Sequence, residues 1–183
     1  MTHTPVAIAP DAFEIRGVIE GTAARMAAER GVPAALLRQA NDALNGIDRA
    51  IKNPDGLNFE CYVRRNAEFH ALLAKFSGSS LILREIERVS LLPFASPSAF
   101  LSEPSAIPDF LDSLRYAQLQ HRAILEAITN REGARAEALT REHARIALLK
   151  FDLGELARVA GDHGAGESVG EFNFAELFFD GLP

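Results

Sequence analysis

The chain has 183 residues, enough for one domain with a sizeable core. Its 48% hydrophobic and 24% charged residues are ordinary for a globular protein, while a formal charge of -6 repels phosphate backbones and argues against nucleic-acid binding by this module alone. The single cysteine, Cys61, excludes an intrachain disulfide and reads as a small buried hydrophobe. With no signal-peptide pattern and no apolar run of about 18 residues, the expected setting is the cytoplasm, with no membrane partner.

Helix signals follow one another along the chain. Asp11 and Glu14 have the spacing of a capping box, followed by Phe13, Ile15, Val18, Ile19, Ala23, Met26 and Ala27 at helical spacing. Gly31 predicts the stop and Pro33 the first turn of a second helix carrying Leu36, Leu37, Ala40, Leu44, Ile47 and Ile51. Asn53-Pro54-Asp55-Gly56 is a turn. A third helix is predicted from Asn58 to Phe76, a fourth from Ser80 to Leu92, a fifth from Pro108 to Asn130, and a sixth from Glu132 through Leu156. Pro93 to Pro108 reads as a long connection, Gly161 to Gly170 as a mobile stretch, and Phe172 to Phe179 as a short docking helix. No strand alternation stands out. The pattern therefore predicts an all-α, antiparallel helical bundle of about six helices.

Three of the five histidines, His70, His121 and His143, fall on three different predicted helices, each on the inward face. His121 shares a stripe with Leu114, Leu125 and Ile128. A buried imidazole needs partners for both nitrogens, and three in one interior suggest a common metal ion. Asn66, four residues before His70, could add an amide oxygen from the same helix face. Each histidine alone reads more readily as a hydrogen-bonded core residue. Arg16 reads by its spacing as a surface ion pair with Glu20, and Arg64-Arg65 as solvated charges. Gly-rich phosphate loops, G-x-S-x-G and H-E-x-x-H do not occur.

Glu14-Ile-Arg16-Gly-Val-Ile-Glu20, Asn66-Ala-Glu-Phe69-His70, His121-Arg-Ala-Ile124-Leu125 and Arg141-Glu-His143 occur in an order that resembles the FCD domain. That domain is the C-terminal, effector-binding half of the FadR branch of GntR-type transcription regulators. Leu92 to Phe100 is similar to vanillate-type regulators within the family. The resemblance implies a divalent metal (zinc, nickel or manganese) held by Asn66, His70, His121 and His143, and a small carboxylic-acid effector held by Arg16. It also implies a homodimer and no catalysis. DNA would be contacted only through an N-terminal winged helix-turn-helix not in this chain. Asn66 stands where the family has Asp, and Ser79 or Ser80 where it has Asn. The expected division is a leader over 1–10, the effector-binding bundle over 11–161, and a glycine-rich linker with a Phe-rich tail over 162–183. The rival readings are a metalloenzyme built on the histidines and a metal-free helical dimerisation module.

Overall fold

The computed structural model describes residues 5–91 and 110–145. Six helices occur among the described residues: α1 (Pro5–Arg30), α2 (Ala34–Ile51), α3 (Phe59–Phe76), α4 (Ser80–Ser90), α5 (Phe110–Thr129) and α6, described over residues 133–145. They form an all-α bundle, as the periodicity predicts. The readings of a connection over Pro93 to Pro108, of the glycine-rich stretch and of the Phe-rich segment lie outside the described residues.

The punctuation between helices follows local chemistry. Gly31 sits at φ +87°, a left-handed conformation that ends α1 at no steric cost. Gly56 closes the Asn53 turn at φ +100°, its N–H donating to the Asn53 carbonyl at 3.1 Å. The Asn58 side chain accepts from the Cys61 N–H at 3.0 Å and caps α3; Ser79 caps α4 by accepting from the Ile82 N–H at 3.3 Å. One boundary differs from the sequence reading. The first helix runs through Pro10 and begins no later than Pro5, so Asp11 is not its cap. Proline costs one backbone hydrogen bond, which a continuous 26-residue helix tolerates, and the N–H groups a cap would serve are then already bonded.

Helix α1 packs against α3, α4 and α5, and α2 forms a hairpin with α3 that also touches α5. The main core gathers Leu44, Ile47, Phe69, Leu73, Leu114, Ile124 and Ile128, with many alanines between them. The alanines, among them Ala24, Ala27, Ala28, Ala40 and Ala43, let the helix axes approach closely. Ile15 and Val18, which share the helical spacing of the apolar set on α1, are nevertheless exposed, at 46% and 41%. The inward face of this part of α1 is taken by Phe13, Arg16, Gly17 and Glu20, which leaves positions 15 and 18 turned away. Cys61 is half-buried rather than enclosed, because it lies on the first turn of α3.

Candidate metal centre

The second half of α3 is buried on most of its faces, and so is the middle of α5. A polar side chain in either place must find its partners inside the bundle. His70 from α3, His121 from α5 and His143 from α6 find one another. His121 Nε2 lies 3.0 Å from His143 Nε2, which lies 3.4 Å from His70 Nε2. One coordinating nitrogen from each of the three fits within 4.8 Å of the others. Phe69 packs its ring 4.8 Å from that of His121 and walls the cluster on one side.

Close approach of α6 to α1 brings the third imidazole in. A Cβ on Gly17 would stand 3.0 Å from the Ala144 Cβ, and one on Gly21 would stand 3.1 Å from the Glu137 carbonyl oxygen. Two glycines one turn apart thus seat α6 directly on α1, and His143, next to Ala144, is carried into the interior.

The outer nitrogen of each ring faces an acceptor. His121 Nδ1 lies 3.2 Å from Gln118 Oε1, and His143 Nδ1 lies 3.1 Å from Gln120 Oε1. His70 Nδ1 faces Glu20 Oε1 at 3.6 Å, just beyond hydrogen-bond length. Burial opposes the charge on Glu20, but Arg16 and then His70 outweigh it, so its carboxyl is held below the usual carboxylate range. An ionised carboxylate only accepts, and an amide oxygen only accepts. The Nδ1–H tautomer suits such an acceptor, and it leaves the Nε2 lone pair to coordinate. Three lone pairs aimed at one point repel unless a cation sits among them. Two nitrogens bound at about 2.0–2.1 Å to one ion are roughly 2.8–3.0 Å apart at an octahedral right angle and roughly 3.3–3.4 Å apart at the tetrahedral angle. The two spacings made by His143 fall within those limits and the three atoms together lie within 4.8 Å of one another, so the donor set suits a divalent ion of the kind imidazole favours.

The other predicted residues take different places. Asn66 is buried on α3, one turn before His70 and on the same face. Arg16 does pair with Glu20, with Nε to Oε2 at 3.7 Å, but the pair is not on the surface: both side chains are nearly fully enclosed. Desolvation lowers the Arg16 pKa, and Glu20 opposes that shift. Its guanidinium carbon also lies 5.3 Å from the centre of the Phe13 ring. Arg64 is solvated as expected, while Arg65 pairs with Glu68 at 2.7 Å. Sequence reasoning missed Gln118, Gln120 and Glu20 as partners of the histidines. The spacing of Gln118 to His121, three residues on one helix, was the available signal; Gln120 and Glu20 reach their histidines from other helices, and no local spacing reveals that.

These features define a class of protein: an all-helical domain whose centre is a closed cluster of three imidazoles backed by amide and carboxylate acceptors. The chain matches the FCD domain family over residues 11–145 and belongs to it. No curated protein matches the chain. None of the described helices is long and apolar enough to cross a membrane.

Proposed function

We propose that this domain is the effector-sensing half of a GntR-type transcription regulator of the FadR branch, cytoplasmic and homodimeric. In this reading it binds a small carboxylate at a metal centre and thereby controls DNA binding by a winged helix-turn-helix domain. The observation that supports the reading most is the convergence of the His70, His121 and His143 Nε2 atoms, each backed by an acceptor at Nδ1.

His70, His121 and His143 would hold a zinc, nickel or manganese ion, with Asn66 adding an amide oxygen from the same face of α3. A metal so bound supplies a Lewis-acidic point for a carboxylate oxygen of the effector. Arg16 supplies the matching guanidinium, and its low exposure makes a charge-assisted contact there stronger than one in water. The Asn in place of Asp leaves the ligand set neutral, so the site should hold its metal less tightly than an acidic one would. Phe69 excludes water on its side of the cluster. Glu20 meets His70 at Nδ1, away from the converging nitrogens, and so orients a ligand rather than serving as a base for hydrolysis. Effector binding would favour one arrangement of the bundle over another, by no more than its differential affinity for the two.

Calorimetric titration with a panel of aliphatic and aromatic carboxylic acids tests this, using zinc-loaded and chelator-stripped protein side by side. Binding of at least one acid to the loaded form, weakened by stripping and by Arg16→Met, is the expected outcome. Equal binding with and without zinc would contradict the metal-centred mechanism.

A further inference from the structure

Gln118 is almost fully buried on α5, and every polar atom of its amide is used. Its Nε2 donates to the Leu44 carbonyl oxygen at 2.9 Å and to Asp48 Oδ1 at 3.0 Å. Both acceptors belong to α2 and neither can donate, the first being a carbonyl and the second a carboxylate. The orientation of the amide is therefore fixed: a flipped amide would set its oxygen against two other oxygens. With the amide so fixed, Oε1 faces His121 Nδ1. The far oxygen of Asp48 pairs with Arg122 Nη2 at 2.5 Å, and the same nitrogen donates to Asn45 Oδ1 at 2.8 Å. Asp48 and Arg122 are each about one-third exposed. A continuous line of hydrogen bonds thus runs from a partly exposed ion pair between α2 and α5, through one buried amide, to the ring of His121.

We propose that Gln118 is a positioning residue that sets the tautomer of His121, and that Asp48 and Leu44 of α2 hold it in the orientation which does so. The proposal deepens the metal-site reading above and rests on it for its consequence, though not for its geometry. A proton kept on Nδ1 leaves the Nε2 lone pair free to coordinate; with the proton on Nε2, the ring would present a donor to a metal and bind nothing. His143 serves as an internal reference, since its Nδ1 is held by Gln120 and not by Gln118.

Two substitutions separate this role from simple packing. Gln118→Met keeps the volume and removes the acceptor. Gln118→Glu keeps an acceptor toward His121 while it also loses the donor to Leu44 and Asp48. Imidazole nitrogen chemical shifts of the 15N-labelled, chelator-stripped protein report the tautomer, and zinc titration reports the affinity. In wild type, His121 is expected as the Nδ1–H tautomer. Gln118→Met should move it toward Nε2–H, leave His143 unchanged and weaken zinc binding roughly 10–100-fold, the usual cost of losing an outer partner of a metal-binding histidine. Gln118→Glu should keep the Nδ1–H tautomer, since a carboxylate oxygen also accepts from Nδ1, while its second oxygen, set against the Leu44 carbonyl and Asp48, should lower the stability of the domain. A His121 tautomer unchanged in Gln118→Met would overturn the proposal and leave Gln118 as a packing residue. If wild type binds no zinc but Gln118→Met still shifts the His121 tautomer, the positioning role stands and the metal reading falls.

Discussion

Arg16 and Glu20 show how a single spacing carries two meanings. Four residues apart on a helix, oppositely charged side chains read as a solvated pair contributing a few tenths of a kcal/mol. Here both are enclosed, and Glu20 also faces His70. A buried pair that loses one member leaves an uncompensated charge, typically at a cost of about 3–5 kcal/mol. Arg16→Met is therefore expected to destabilise the domain by about that amount in urea unfolding. Adding Glu20→Gln should recover part of the loss, and strict additivity in that double-mutant cycle would contradict the pairing. The flanking glycines were the legible clue. Gly17 and Gly21 mark a helix face with no room for solvent, and Arg16 and Glu20 are their chain neighbours. Apolar residues at 15 and 18 masked that clue, because hydrophobic periodicity weighs side chains and takes no account of a face packed backbone to backbone.

At the scale of elements, helix ends and faces were largely readable, since Gly31, Gly56, Asn58 and Ser79 act within a turn of their own position. The stripe of Leu114, His121, Leu125 and Ile128 on α5 is buried as its spacing predicts. Which helices meet was not readable. The contact of α6 with α1 depends on the two glycines, and it places His143 against His121. Gly17→Val should force the helices apart, costing about 1–3 kcal/mol as overpacking does. The same change should weaken zinc binding by displacing His143. Gly56→Ala provides the contrast: it strains a positive φ in an open turn remote from the cluster, so it should lower stability with zinc affinity unchanged. If Gly17→Val lowers stability but binds zinc as wild type does, the seam does not position the third histidine.

For the whole molecule, a ligand held only by the folded state adds to its stability by mass action. Saturation at one hundred times the dissociation constant contributes about 2.7 kcal/mol, which for a domain of this size raises Tm by roughly 5–11 °C. Zinc should therefore raise the melting temperature of the stripped protein, a chelator should reverse the shift, and His143→Ala should abolish it. The sequence made the three histidines visible as inward-facing side chains, but their convergence is a property of the assembled bundle. Three helices separated by 22 to 73 residues in pairs contribute one ring each, and no periodicity within a helix encodes that meeting. The most direct measurement is the metal content of the purified protein by elemental analysis, after incubation with zinc, nickel and manganese and removal of free ions. About one ion per chain is expected in wild type, lost in both His121→Ala and His70→Ala while the helical circular dichroism persists. A folded wild type that retains none of the three metals would contradict the metal centre and leave the imidazoles as a hydrogen-bonded core.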